Sequence, residues 1–272
     1  MLGRLRAAQA LFVARGVRPI DFSGKRVLVT GAARGIGYAT ARLFLTQGAR
    51  VAINDLSPEA VDAAMVSLGK TNLVAAPGSV ALAADCECIV ERAIWDLEGL
   101  DVLINNAGIY VEASVEQTDE ALWNEILDTN LKGTFFMSRA ATPHLRESRG
   151  VIVNLASEAG VVGSPNITAY GASKAGIIGL TRAMAMELVP DIRVTCVCPS
   201  PTDTRIFERT AETLSDPEAY RASLVRYSPM RRMAQPDEVA KAILFLASSD
   251  ASFITGSALM VDGGVTSGSG AL

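Results

Sequence analysis

A single histidine among 272 residues leaves no basis for a mixed Cys/His zinc site. That residue, His144, directly follows Pro143 in a helical region and reads as surface or structural. Cysteine is nearly as scarce. The four thiols fall in two Cys-x-Cys pairs, Cys86/Cys88 and Cys196/Cys198, and read as plain reduced residues of a cytoplasmic protein. Positive charge is not in excess: 25 Lys and Arg against 29 Asp and Glu give a net charge of −4, which is no electrostatic footprint for nucleic acid. No apolar run approaches the roughly 20 residues that cross a bilayer. Internal repeats and linkers are lacking too. A soluble chain is implied, with no metal, no nucleic-acid partner and no membrane partner.

What is present is apolar content: 49% hydrophobic against 20% charged, enough to bury the core of one large α/β domain. Its organising stretch runs from Arg26 to Gly37. Val27, Leu28 and Val29 read as a short buried strand, Gly31 permits a tight turn, Gly35 lets a ligand approach the backbone, and Gly37 opens a helix continuing through Leu45. A helix N-terminus aimed out of such a turn suits a pyrophosphate, so the functional reading is a dinucleotide site. Taken alone, three glycines here also describe an ordinary strand-to-helix turn.

Further strands are expected at 50–54, 72–76, 101–105, 150–156, 192–198 and 257–261. Helices are expected at 57–69, about 85–97, about 118–146, 168–188 and 236–246. The alternation predicts parallel βαβ units: a Rossmann-like, doubly wound, mostly parallel seven-stranded sheet with helices on both faces and ligands at the carboxyl ends of its strands. Residues 23–265 form this single domain, with 1–22 an extension and 266–272 a flexible tail. The first twenty residues carry Arg4, Arg6, Arg15 and Arg18 and no acid, which hints at a transit peptide; they hold no serine, and packing on the domain or a partner subunit is the simpler reading. The polar stretch 200–230 is long enough to be a lid. Its arginines alternate with acids, so a solvated face is expected there rather than an anion site. Trp95 and Trp123, at helical spacing from aliphatic residues, read as packing anchors.

Tyr170 and Lys174 are four apart and share one face of a helix. A nearby ammonium and a cationic nicotinamide both favour phenolate; bringing a tyrosine from its usual pKa near 10 to near 7 takes roughly 4 kcal/mol. So tuned, it can take a proton from an alcohol or give one to a ketone. Ser157, 13 residues upstream at a strand end, can hydrogen-bond the same substrate oxygen.

Thr30-Gly31-Ala32-Ala33-Arg34-Gly35-Ile36-Gly37, Asn105-Asn106-Ala107-Gly108, Asn130, Ser157 and Tyr170-x-x-x-Lys174 together resemble the short-chain dehydrogenase/reductase family, over residues 23 to 265 or so. The late pieces from Arg232 to Val239 and from Thr255 to Gly264 are similar to it as well. The resemblance implies that Tyr170 is the acid/base and that Ser157 positions the substrate oxygen. It also implies that Lys174 holds the nicotinamide ribose and that Asn130 orders a water linking Lys174 to solvent. Two departures stand out. Ser79-Val80 replaces the family's Asp-Val, so the contact of this segment with adenine is weaker or differently made, and Pro199-Ser200-Pro201 replaces Pro-Gly, which stiffens and shifts that loop. Thr202 and Thr204 still fall where the family meets its cofactor.

NAD(H) is the expected cofactor. Asp55 ends the second strand, 24 residues after Gly31, and its carboxylate is placed to accept from the adenine ribose and to repel a 2′-phosphate. Arg34 argues the other way, toward NADP. A homotetramer is expected because the helix from Thr168 carries Ala169, Gly171, Ala172, Ala175, Gly176 and Gly179, more small residues than packing on its own sheet requires. The leading function is an NAD-dependent oxidoreductase interconverting a secondary alcohol and a ketone. The alternatives are an NADPH-dependent 3-oxoacyl-thioester (acyl-carrier-protein) reductase and a non-catalytic dinucleotide-binding regulator. The substrate is chosen by residues near 110–116, 158–168 and 200–230, which carry no readable code.

Overall fold

The structure, a computed structural model, describes residues 20–69, 71–212 and 214–268. The expected N-terminal extension therefore lies almost wholly outside the described residues, as do the last four residues of the expected tail. Seven strands form the sheet: β1 Arg26–Val29, β2 Arg50–Ile53, β3 Leu73–Ala75, β4 Val102–Asn105, β5 Val151–Leu155, β6 Arg193–Pro199 and β7 Ala258–Val261. They lie in the order β3-β2-β1-β4-β5-β6-β7, and every neighbouring pair is parallel. In chain order the helices are α1 Gly35–Thr46, α2 Pro58–Leu68, α3 Ala83–Leu97, α4 Glu120–Leu127, α5 Gly133–Ser148, α6 Thr168–Leu188, α7 Glu208–Ala211, α8 Pro217–Tyr227 and α9 Pro236–Ala247.

The period of two along each strand divides the core into two layers. Val27 and Val29 point to one face and Leu28 to the other, and Val102/Ile104 against Leu103 and Val151/Val153 against Ile152 repeat the pattern. The first face is covered by α1, α2 and α9 through Phe44, Val61, Val239 and Ile243. The second is covered by α3, α5 and α6 through Ile89, Val90, Leu97, Met137, Leu145 and Leu188. Helices on both faces explain why the central strands are nearly continuous apolar runs. The chain leaves β1 toward β2 and later returns to β4 on its other side. The crevice over the carboxyl ends of β1 and β4 is thus the switch point at which such sheets bind ligands.

Several elements depart from the sequence reading. Gly35, not Gly37, is the first residue of α1. Phe22, assigned to the extension, is buried with its ring edge-on to Phe44 at 4.7 Å, and its N–H donates to the Gln47 carbonyl. Thr266, assigned to the tail, donates its N–H and hydroxyl to Asp262 Oδ2 at 2.8 and 2.6 Å. The helical run expected from Thr118 starts instead from Asp119, whose Oδ1 caps the Leu122 N–H, and a π-helical segment, Asp128–Lys132, interrupts it. Trp95 is no packing anchor: it is 85% exposed, because Ile94 and Leu97 rather than Trp95 take the sheet-facing side of α3. Gly171 and Gly176 are accounted for within the chain, since a Cβ would meet the Ala159 carbonyl at 3.2 Å and Leu131 Cδ2 at 2.7 Å.

The end of the sheet opposite the crevice is tied by Asp101. Its Oδ2 accepts from Arg26 N and Arg26 Nε at 2.9 and 2.7 Å, and Lys25 Nζ lies 3.5 Å from Oδ1. Burial acts to raise its pKa, but the bonds from Arg26 outweigh that and hold it below the usual carboxylate value. Asp101→Asn should therefore cost about 2 kcal/mol at neutral pH. A depressed pKa gives stability that is present above the ordinary aspartate pKa and lost as pH falls through the native value. In denaturant titrations the gap between wild type and Asp101→Asn should close below about pH 4, and a gap that did not change with pH would remove this account.

Candidate active site

The glycine turn is shaped by what surrounds it. Gly31 adopts φ +61°, and a Cβ there would lie 2.8 Å from Ala107 Cα; at Gly37 a Cβ would run into the Gly31 carbonyl oxygen and come within 2.5 Å of Asn106 Nδ2. The turn is locked onto the end of β4. Asn106 Nδ2 donates to the Thr30 and Gly31 carbonyls at 2.8 and 3.0 Å, and the Asn106 and Ala107 N–H groups both donate to Thr30 Oγ1 at 3.0 Å. Arg34, exposed at the N-cap of α1, supplies no side-chain acceptor to that helix end. Asp55, at the end of β2, accepts from Ala33 N at 3.2 Å through Oδ2 and from Leu56 N at 2.9 Å through Oδ1.

Around this turn runs a groove of about 400 Å3. Gly31, Arg34, Gly35, Ile36, Asp55, Val80, Asn106, Ala107, Gly108 and Thr204 all line it, so most of the expected cofactor residues meet in one place. Its length from Asp55 to Gly108, its glycine-lined floor and the start of α1 fit a dinucleotide with its pyrophosphate over the turn. Ser79, the departure from the family's Asp, hydrogen-bonds Asp85 Oδ2 of α3 through its own N–H at 3.4 Å. Glu125 and Thr129 also line the groove, and sequence reasoning missed both.

Beyond Ile36, Asn106 and Thr204 the groove opens into a second cavity of about 450 Å3, where Ser157, Tyr170, Lys174 and Thr202 converge. Lys174, 3% exposed, donates from Nζ to the Leu155 carbonyl at 2.8 Å and lies 5.6 Å from the Tyr170 ring centroid. Burial lowers its pKa to about 8. Asn130 sits in the π-helical segment and is fully buried. Its Oδ1 accepts from Ile109 N at 2.8 Å, and Nδ2 donates to the Ile109 carbonyl and to Ser173 Oγ, each at 3.1 Å. It thereby clamps the chain just after Gly108 against α6. The π segment is what turns this side chain inward, a common use of such insertions at functional sites.

The surroundings of Tyr170 set its proton affinity in the unliganded chain. Burial, with the carboxyl of Glu158 adding to it, raises its pKa above the ordinary tyrosine value; only the Ser157 hydroxyl pulls it down. In the unliganded chain, desolvation of the phenolate outweighs the Ser157 hydrogen bond, so the resting group is a phenol. Ser157 Oγ donates to Glu158 Oε2 at 2.6 Å and accepts from Ala159 N at 3.2 Å.

The expected lid carries two helices, α7 and α8, and reaches the cavity through Ile206, Phe207, Tyr220, Leu224 and Tyr227. It is held to the 110 loop by Glu112, whose Oε1 accepts from the hydroxyls of Tyr110 at 2.5 Å and Tyr220 at 2.6 Å. Tyr110 in turn stands edge-on to Tyr170 and to Phe207, both at 5.0 Å. Ser200 has no left-handed backbone, so the family's glycine is not required there, and its N–H donates to the Val261 carbonyl at 3.3 Å. Among the described residues no cluster of His, Cys, Asp and Glu could hold a metal ion, and no helix is long and apolar enough to cross a membrane.

The sequence profile of the family described as Enoyl-(Acyl carrier protein) reductase matches residues 31–266. The meso-2,3-butanediol dehydrogenase of Serratia marcescens is 38% identical over 250 residues, covering 92% of this chain and 97% of that one. A 3-oxoacyl-(acyl-carrier-protein) reductase of Thermotoga maritima is 38% identical over 248 residues, 89% and 98% of the two chains. Among solved structures, a short-chain dehydrogenase/reductase from Brucella melitensis titled glucose/ribitol dehydrogenase superposes with a TM-score of 0.84 at 33% identity, covering 90% of this chain and 98% of that one. With its parallel sheet, glycine turn and converging Ser157, Tyr170 and Lys174, the chain belongs to the short-chain dehydrogenase/reductase family of oxidoreductases.

Proposed function

We propose that this protein is an NAD(H)-dependent oxidoreductase interconverting a secondary alcohol and a ketone. The convergence of Ser157, Tyr170 and Lys174 in the cavity that adjoins the groove carries the reading. A nicotinamide held there would supply the hydride exchange with the carbinol or carbonyl carbon. Tyr170 holds the proton that leaves or joins the substrate oxygen, and Ser157 hydrogen-bonds that oxygen. Lys174 sits behind Tyr170, holds the ribose and favours the phenolate as the reaction calls for it. Asn130 keeps its proposed part, ordering a water between Lys174 and solvent, and its side chain fixes the loop beside Lys174. Thr202 and Thr204 contribute at the nicotinamide end, where Thr204 packs on Gly35. The cytoplasm is the compartment proposed.

The 3-oxoacyl-thioester reductase reading has a relative of that name in its favour, but among the described residues the cavity carries the carboxyls of Glu112 and Glu158 and no arginine, a poor match for the anionic arm of a carrier thioester. Absorbance of reduced nicotinamide across a panel of polyols, sugars, steroids and hydroxyacyl esters with NAD tests the reading. It falls if no alcohol or ketone is turned over, or if thioesters with NADPH are the only substrates.

Preference for NAD(H) follows from Asp55 on the groove wall, where a 2′-phosphate would meet a carboxylate. Leu56 beside it offers no positive charge. Asp55→Ala should shrink the NAD/NADP ratio of kcat/KM by roughly tenfold or more. A higher kcat/KM with NADP(H) in the unaltered protein would show the assignment to be wrong.

A homotetramer is proposed as well. Ala172, Ala175, Gly179 and Met186 form one exposed face of α6, and a Cβ at Gly179 would touch nothing in the chain. Phe253, beside the last strand, is fully exposed. Light scattering at micromolar concentration should give four times the chain mass; a monomer mass would contradict it.

A further inference from the structure

Glu158 is a carboxyl that the proposed chemistry leaves unused. It is 6% exposed and lines the cavity beside Ser157 and Tyr170. The 3-10 turn Glu158–Gly160 folds it back so that Oε2 accepts from Ser157 Oγ at 2.6 Å. A buried carboxyl ordinarily needs an ionic partner or several donors. Among the described residues no Lys, Arg or His forms an ion pair with it, and Ser157 is the one side chain that bonds it. The backbone N–H groups of Glu158 and Ala159 supply its other hydrogen bonds.

The remainder of the cavity narrows what could meet it. Glu112, on the lid side, is already engaged by the hydroxyls of Tyr110 and Tyr220. Lys174, the one cationic side chain among the described residues that line the cavity, is committed to the Leu155 carbonyl. Two carboxyls and one engaged ammonium disfavour anions, and the walls are otherwise Tyr110, Ile167, Phe207, Leu224 and Tyr227 with a few hydroxyls. The carboxyl of Glu158, whose two oxygens offer more lone pairs than its donors use, is therefore the acceptor left beside the reacting position.

We infer that Glu158 is a specificity-determining residue that selects substrates with a second hydroxyl on the carbon next to the one that reacts, that is, vicinal diols and the hydroxyketones formed from them. The geometry is that of two neighbouring hydroxyls on the protein side. Ser157 Oγ and Glu158 Oε2 are hydrogen-bonded to each other, so an oxygen held by Ser157 and Tyr170 brings the hydroxyl of the adjoining carbon to the carboxyl. That hydroxyl donates to Glu158 and in doing so can take the acceptor that Ser157 occupies, releasing the Ser157 hydroxyl for the reacting oxygen. Glu158 exchanges neither proton nor electrons; the hydride and proton go where the alcohol/ketone reading already sends them.

The inference rests on the alcohol/ketone reading, and a matched set of probes separates the two: cyclohexanol, the cis and trans vicinal cyclohexanediols, and the corresponding vicinal amino alcohol, each oxidised with NAD by the full chain. The readout is the ratio of kcat/KM for a diol to that for cyclohexanol, which does not depend on the folded fraction of a preparation. The unaltered protein should favour one diol by about tenfold or more, since a site built to bond a hydroxyl rejects analogues lacking it. Glu158→Leu should bring the ratio close to one, while Glu158→Gln, which can still accept, should retain most of it. The inference is overturned if the unaltered protein shows no diol preference, if it prefers the amino alcohol, or if Glu158→Leu lowers all rates by one common factor, which would mark a residue that merely holds Ser157. Turnover of none of these probes, nor of any other alcohol or ketone, would instead overturn the alcohol/ketone reading on which the inference stands.

Discussion

Tyr170→Phe should lower turnover on the order of a thousandfold while leaving nicotinamide binding within a few-fold of the unaltered protein. The substitution keeps the ring that stands edge-on to Tyr110 at 5.0 Å and removes only the hydroxyl that faces Ser157. Its pH behaviour is the more discriminating part. Burial, aided by Glu158, holds the Tyr170 pKa above its ordinary value, so the phenol is protonated at neutral pH in the unliganded chain. Ketone reduction can use that proton directly; alcohol oxidation needs the deprotonated form and should quicken as pH rises. Residual oxidation by Tyr170→Phe should lose this rise. Lys174→Met should weaken binding and turnover together, because one ammonium serves both the ribose and the phenolate. Stopped-flow turnover combined with fluorescence titration of reduced nicotinamide separates these effects, and near-normal rates in Tyr170→Phe would remove the mechanism.

Gly37→Ala should be nearly as damaging for a different reason. The added methyl group has no free space: it would overlap the Gly31 carbonyl oxygen and press on Asn106 Nδ2 at 2.5 Å. Neither neighbour can yield cheaply, since Asn106 is held by the Thr30 and Gly31 carbonyls and Thr30 Oγ1 is held by two backbone N–H groups of the β4 end. Overpacking at such a point costs about 3 kcal/mol. The turn must also move, and cofactor affinity should fall by roughly tenfold or more as the N–H groups at the start of α1 lose their aim. Gly69→Ala is the control. Gly69 adopts φ +97° with nothing within 4 Å of a would-be Cβ, so the cost there is backbone strain of about 1 kcal/mol, with no effect on cofactor affinity. Denaturant midpoints and nicotinamide titrations of both variants decide the matter; equal losses in both would mean that the crowding at Gly37 is not what matters.

Much of this molecule is written locally in its sequence. The apolar triplets of β1, β4 and β5 alternate between two helical layers because successive strand side chains face opposite ways, a rule that needs no knowledge of partners. The left-handed turn at Gly31 and the shared helix face of Tyr170 and Lys174 are local in the same sense, and so were readable before any coordinates. What the tertiary structure alone decided depends on residues far apart in the chain. Phe22 is core because Phe44 waits for it across a loop, and Trp95 is solvent-facing because the sheet takes its neighbours on α3. The π segment at Asn130 answers to Ile109 and Ser173, and the lid is seated by a bond from Tyr220 to Glu112, 108 residues away. The burial that keeps Tyr170 a phenol in the unliganded chain has the same origin. Side-chain spacing says which charges are near, but the desolvation that outweighs them is set by the whole of the surrounding fold.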